Sequence, residues 1–400
     1  MPLTVCELQA DVAAGRVEEV LVALPDLQGR LQGSRLGARH FLDRVLDHGF
    51  GACAYLLAVD VDMRTGAGWA IDADADGFAD LTLMPDAQTL RRLPWSDATA
   101  CVLADALDRD GRPIAVAPRT ILRAQLDRLA ALGLHAQVGA ELEFLAFRGS
   151  YRDAAAQRWG GLEPLTAHNV DYALTGLGEL ESLGRRIRRA MTALGMQVES
   201  ARGECHPGQY EIVFRHSDAM TACDQHILYK AGAKELAARD EIALTFMPKF
   251  DAGEGNSCHL HVSLRSADRE PVFAGDGPSG RSELMDAFLA GQLACMADFT
   301  LLFAPTINAY KRLRPGSFAP SAVAWGPGQP PLRDPRRRKR GEPALRASRR
   351  RRRPQPLPGR RRHRGGRSAW RPGESAPATP SRRPRPVRRA AIAGHAERSA

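Results

Sequence analysis

Apolar residues recur at helical spacing over 120–132, 180–194, 219–239 and 281–303, and each stretch predicts an amphipathic helix. Period-two alternation over 18–24, 135–147, 210–215 and 258–264 predicts strands with two chemically different faces. Helices and strands mixed in this way indicate an α+β protein. Periodicity lapses between 105 and 118, where Arg109-Asp110-Gly111-Arg112-Pro113 is rich in turn formers. That lapse predicts a boundary between an N-terminal domain, 1–107, and a second domain beginning at 112. Four hundred residues, 44% of them hydrophobic, are enough for two cores. No uncharged stretch approaches the roughly 20 residues of a membrane span, and the N-terminus lacks a basic, then apolar, then small-residue leader. No internal repeat is visible.

Charge divides the chain differently. The net charge is +10, yet residues from Pro327 to Ala400 hold 24 of the 56 Lys and Arg and only 4 of the 46 Asp and Glu. The tail is therefore +20 and the body before it −10, so nucleic acid is not the partner expected of the body. Thirteen of the 27 prolines also lie in the tail, a composition that cannot bury a core and predicts disorder over 327–400. Seven dispersed cysteines without a CxxC pair point to a reducing, cytoplasmic setting.

Three segments carry candidate chemistry. A strand through Val138–Phe147 puts Glu141 and Glu143 on one face and Leu142 and Phe144 on the other. Two like charges so close stay ionised when a cation sits between them or water screens them, and the segment alone leaves both open. In Glu204-Cys205-His206-Pro207-Gly208-Gln209-Tyr210-Glu211 two further carboxylates bracket a Pro-Gly turn. In Gly255-Asn256-Ser257-Cys258-His259-Leu260-His261-Val262-Ser263-Leu264, His259, His261 and Ser263 share one face after a flexible turn. Four carboxylates and an imidazole form a mainly oxygen-donor set suited to Mg²⁺ or Mn²⁺. Such ions bridge phosphates, and a cationic residue such as Arg312 can clamp an acceptor, which points to phosphoryl transfer.

Together with Asp80-Leu81-Thr82-Leu83-Met84-Pro85-Asp86, Leu93-Pro94-Trp95 and Asn308-Ala309-Tyr310-Lys311-Arg312-Leu313-Arg314-Pro315-Gly316, these segments resemble the glutamine synthetase family over about residues 5–326. The resemblance implies a β-grasp-like N-terminal domain (1–107) and a catalytic domain (112–326) built on a curved antiparallel sheet, with its C-terminal part missing. It implies that Glu143, Glu204 and Glu211 hold one metal and that Glu141 and His259 hold another, with two or three ions in all. His261 and Ser263 match positions beside ATP, Gly255 lies in the glutamate loop, and Arg312 matches the arginine on the glutamate carboxylate. ATP, L-glutamate and a small amine are the implied substrates. A homo-oligomeric hexameric ring or dodecamer is the implied assembly.

Two departures refine this. Where ammonia-using members carry a glutamate after Pro-Gly, this chain reads Gly316-Ser317-Phe318-Ala319-Pro320, and Phe318 cannot act as a base. The pattern is most similar to the family's γ-glutamyl-amine ligases for polyamines or ethanolamine, with ammonia as the alternative acceptor. Glu254 also replaces an asparagine that touches glutamate in common bacterial members.

The resemblance ends at Gly326, and nothing from Pro327 onward matches. Read one base later, the codons for Gly326–Gln329 are compatible with Gly-Arg-Asp-Asn, the family's next motif. Those from Arg346 through Gly359 are compatible with Glu-His-Arg-Val-Ala-Gly-Ala-Asp-Pro-Asn-Pro-Tyr-Leu. A shifted reading frame after Trp325 accounts for the break, and the chain then lacks a late metal-binding glutamate and several arginines. Impaired activity and poor solubility are the expectations. The alternative is an inactive relative whose Arg/Pro-rich tail binds nucleic acid.

Overall fold

The computed structural model describes residues 1–65, 80–314, 317–319, 323 and 345–346. The first helix, α1 (Val5–Ala13), starts at a capping box in which the Thr4 hydroxyl accepts the Glu7 N–H and the Glu7 carboxylate accepts the Thr4 N–H. Behind it lies a six-stranded mixed sheet of β1 (Glu19–Pro25), β2 (Leu31–Gly37), β3 (Phe50–Cys53), β4 (Asp80–Pro85), β5 (Arg91–Arg92) and β6 (Thr99–Leu107). Its order is β2-β1-β6-β4-β3, with β5 beside β6. β1 and β6 run parallel in the centre and the other pairs are antiparallel, a β-grasp-like arrangement. Val20, Val22 and Val102 turn one face toward Leu8 and Phe41. Ala23, Cys101 and Leu103 turn the other face into the core of the second sheet.

The turn formers after β6 close a tight loop, in which the Asp108 carboxylate accepts the N–H groups of Asp110 and Arg112. Next comes α2 (Pro118–Ala131), with proline at the first helical position, where its missing N–H costs nothing. Arg119 behind it is buried, and its guanidinium meets Asp105 at 2.8 Å, Asp86 at 2.5 Å and also Asp224. One cation thereby ties the first sheet to the helix that carries Asp224.

The second sheet is organised by a single long strand, β7 (Leu134–Arg148). With it lie β8 (Val198–Gly203), β9 (Gln209–Phe214), β10 (Ser217–Asp218), β11 (Ile242–Thr245) and β12 (Cys258–Ser266). The sheet is curved and antiparallel. Along one edge β7 pairs first with β12 and then with β11, and along the other with β10 and then β9, so four chain segments are registered on one strand. Leu345–Arg346 pairs with Val262 and His261 on the outer side of β12. Two helices, α3 (Glu179–Ala193) and α4 (Ala219–Arg239), cover the apolar face, packing Leu183, Ile187, Ile227 and Tyr229 on Leu142, Phe144 and Ala146.

The helix expected over 281–303 is divided. α5 (Glu283–Cys295) ends, and a separate turn forms at Thr300–Phe303. The Thr300 hydroxyl bonds the Met296 carbonyl while its N–H reaches back only to Ala297, a local competition that breaks the helical ladder. No described helix is long and apolar enough to cross a membrane. The disordered tail expected from Pro327 lies outside the described residues, Leu345–Arg346 apart.

Candidate active site

Strand register assembles the acidic face. Residues directly opposed across antiparallel strands share a face, and on β7 Glu143 faces Glu211 of β9 while Glu141 faces His259 of β12. The segment after β8 returns through His206-Pro207-Gly208-Gln209, with Gly208 at φ +74°, where a Cβ would meet the Ala146 carbonyl at 2.5 Å. That turn pairs the Glu204 N–H with the Gln209 carbonyl at 3.0 Å and aims Glu204 at the same cluster. Ligand atoms of Glu143, Glu204 and Glu211 lie within 4.8 Å of one another, as do those of Glu141, Glu211 and His259. Glu211 belongs to both sets. A solvated strand face is thereby excluded, since Glu141, Glu143 and Glu211 are only 9, 7 and 1% exposed.

Each of these side chains is held from outside. His259 Nδ1 and His261 Nε2 clasp the two oxygens of Glu141 at 3.0 and 2.9 Å. Gln209 Nε2 and the Ser257 N–H both donate to Glu143 Oε2, at 2.7 and 2.9 Å. Arg202, opposite Glu211 across the β8–β9 ladder, ion-pairs with Glu204 at 3.0 Å and with Glu211, and its guanidinium lies 5.1 Å over the Tyr172 ring.

The electrostatics favour a divalent cation. Burial, with Glu143 nearby, pushes the Glu204 carboxyl up to about 7. Burial raises Glu211 to about 8, the carboxylates of Glu141, Glu204 and Glu143 adding to it and Arg202 opposing. Glu143 is raised by burial as well, with the Ser257 N–H acting the other way. One guanidinium does not neutralise this density, and the buried Oε1 of Glu211 has no hydrogen-bond partner among the described residues. An oxygen-rich set with one imidazole suits Mg²⁺ or Mn²⁺.

Beside the carboxylates runs the loop leading into β12. Gly255 is obligatory there because a Cβ would fall 1.9 Å from the Pro248 carbonyl oxygen and 3.1 Å from the Arg312 side chain. Asn308 bonds both backbone groups of Lys249, at 2.8 and 2.7 Å, which fastens the helical turn before Arg312 to this loop. Arg312 is buried and donates to Ser257 Oγ at 3.1 Å, while its Nε has no hydrogen-bond partner among the described residues.

The structure thus brings Glu141, Glu143, Glu204, Glu211 and His259 together, with Gly255 and Arg312 on one flank. His261 joins through Glu141, and Ser263 lies one pleat further along β12, opposite Gln137. Phe318 stands at φ 52° and is about half exposed. Sequence reasoning missed Arg202, Gln209 and Asn256. Arg202 was legible in the i, i+2 spacing from Glu204, whereas nothing local to Gln209 or Asn256 announces their contacts.

Comparison with known proteins identifies the family. Residues 115–330 match the family model described as glutamine synthetase, catalytic domain. Over 325 residues the chain is 54% identical to the γ-glutamylethanolamide synthetase GlnA4 of Streptomyces coelicolor, covering 81% of this chain and 70% of that protein. It is 31% identical over 312 residues to the glutamate–isopropylamine ligase of a Pseudomonas species, covering 78% and 68%. Among solved structures, ligand-free GmaS superimposes with a TM-score of 0.66 at 29% identity, covering 76% of this chain and 68% of that one. The match ends within four residues of the point where the sequence pattern breaks, and the chain belongs to the glutamine synthetase family.

Proposed function

We propose that this chain derives from an ATP-dependent ligase that joins an amine, ethanolamine in preference to ammonia, to the γ-carboxylate of L-glutamate. The observation that carries the reading is the pair of three-ligand sets sharing Glu211 on one sheet face, flanked by the Gly255 loop and Arg312. The 54% identity to a γ-glutamylethanolamide synthetase supports ethanolamine, and a polyamine is the next acceptor in line.

Glu143, Glu204 and Glu211 would hold one Mg²⁺ or Mn²⁺, and Glu141, His259 and Glu211 a second. Bound there, the ions supply charge neutralisation for the phosphates of ATP. A γ-carboxylate oxygen of glutamate attacks the terminal phosphorus and the bond to ADP breaks, giving γ-glutamyl phosphate. The amine nitrogen then attacks the acyl carbon, phosphate leaves, and the nitrogen loses a proton. Arg312, whose Nη1 rests on Ser257, is placed to hold the glutamate carboxylate on the flank where Gly255 lets the backbone approach. His261 orients Glu141 and stands with Ser263 on the face proposed for ATP. Phe318 leaves no carboxylate at its position, which favours an acceptor larger and less polar than ammonium. Assembly into a ring of identical subunits is part of the same proposal.

Phosphate release from ATP and glutamate is to be compared with ethanolamine, putrescine, spermidine and ammonia, in this chain and in one whose frame is corrected after Trp325. Ethanolamine is expected to give the highest turnover in the corrected chain. Ammonia as the best acceptor would overturn the choice of amine, and no turnover with any amine would overturn the ligase reading.

A further inference from the structure

The buried amide of Gln209 touches three separate parts of the site. It is 1% exposed, its Oε1 accepts the His206 N–H at 2.9 Å, and its Nε2 lies 2.7 Å from Glu143 Oε2, 3.2 Å from the Gly255 carbonyl and 3.2 Å from Asn256 Oδ1. The orientation of the amide follows from these partners: rotated by half a turn, it would set its oxygen against three other oxygens. Asn256 is fixed in turn, donating to the Thr245 and Met247 carbonyls at 3.1 Å each.

We infer that Gln209 is a positioning residue that locks Glu143 to the Gly255–Asn256 loop, so that cation binding and the shape of the glutamate flank are set by one side chain. Two donors, Gln209 and the Ser257 N–H, fall on the same oxygen of Glu143. That fixes the carboxylate's rotation and leaves Oε1 as the oxygen these two donors do not occupy. The amide contributes no charge to a cluster already too negative, which a glutamate at 209 would. Its other contacts carry the position of Glu143 to the loop through Gly255 and Asn256. A hydrophobic residue of similar volume would fill the space and lose both functions. The inference rests on the proposed cation site, and the test separates the two.

Mn²⁺ alone is the probe, with the intact chain and its Q209M and Q209N variants; the second keeps an amide but withdraws it by one methylene. Q209M is expected to bind Mn²⁺ about tenfold more weakly, as loss of a group that orients a metal ligand does. In Mn²⁺-saturated protein, amide exchange over residues 253–256 is expected to be faster than in the parent by more than exchange in the strands of the second sheet, which reports the general loss of stability from the missing buried hydrogen bonds. Q209N carries the same expectation and decides the matter if Q209M does not melt cooperatively. N256A, which leaves the Gln209–Glu143 bond in place, should speed exchange over 253–256 while weakening Mn²⁺ less than Q209M does. Parent-like Mn²⁺ affinity in both Gln209 variants, or loop exchange unchanged at saturation, would overturn the inference while leaving the cation site standing. A parent chain that binds no Mn²⁺ would remove both.

Discussion

Two stretches of the same domain have opposite surfaces. From β7 to β12 the chain closes on itself, with Phe144, Tyr210 and Ile212 at most 1% exposed and even the carboxylates beside them buried. From α5 onward apolar side chains stand in solvent: Leu301 is 62% exposed, Leu302 73%, Phe303 60% and Ile307 84%. A contiguous apolar surface of this kind marks a face that normally meets another element. The contrast teaches that the five side chains of the acidic cluster meet within 134–266, whereas the stretch that follows leaves its apolar side chains uncovered among the described residues. The match covers 70% and 68% of the two relatives' own lengths.

Restoring the reading frame after Trp325 gives the largest expected effect. The family resemblance implies that the chain as it stands lacks groups that stabilise transferred phosphate, and a single such donor is worth on the order of 10²-fold or more in rate. The corrected chain should therefore release phosphate from ATP, glutamate and ethanolamine at least about 100-fold faster. Equal turnover in the two chains would show that the part after 326 is dispensable and remove the contrast.

Substituting the shared ligand comes next. Glu211→Gln should weaken Mn²⁺ by at least about tenfold, because Glu211 alone belongs to both three-ligand sets. The same change should raise the metal-free melting temperature above about pH 8, where Glu211 is ionised and its replacement removes a buried charge from a repulsive cluster. Calorimetry with and without Mn²⁺ checks both, and a fall in metal-free stability would mean that the ion pair with Arg202 outweighs the repulsion.

A pH effect of smaller size follows from Glu204 near 7 and Glu211 near 8. Both lie above the ordinary carboxylate value of 4.5, so the metal-free fold keeps protons that the unfolded chain has already released. Stability from these groups is therefore greatest below about 4.5, falls as pH rises through 8, and levels off above. Mn²⁺ affinity should rise across the same window as cation and proton compete for the same oxygens. Denaturant melts at pH 5 and pH 8.5 without metal measure this, and greater stability at pH 8.5 would contradict it.

The smallest effect is expected on the exposed stretch. Replacing Leu302 and Ile307 by Ser should reduce binding of a hydrophobic dye and slow aggregation, with the melting temperature nearly unchanged, because neither side chain is buried. A clear loss of melting temperature would show that these residues are covered in solution.

Much of this was legible in the sequence where periodicity and chemistry coincide. The helix at 219–239 has the bounds its pattern predicts, and the alternation at 141–144 sorts Glu141 and Glu143 from Leu142 and Phe144 as the sheet does. Motif resemblance supplied what periodicity could not, the meeting of Glu141 and Glu143, Glu204 and Glu211, and His259 from three separate segments. β2 and β11 escaped notice for local reasons. Leu31–Gly37 carries a weak alternation interrupted by Gly33 and closed by Gly37, and Ile242–Thr245 is too short to show a period. Gln209 and Asn256 were invisible as a pair because their bond joins positions 47 apart in the chain. The break in the helix at 296–299 depends on the side-chain bond of Thr300, which hydrophobic spacing does not register.

The most direct test of the central claim is anomalous scattering from a crystal of this chain soaked in Mn²⁺. The expected result is one ion within bonding distance of Glu143, Glu204 and Glu211 and a second bound by Glu141, His259 and the shared Glu211. Ions found elsewhere, or none at these carboxylates at saturating Mn²⁺, would contradict it.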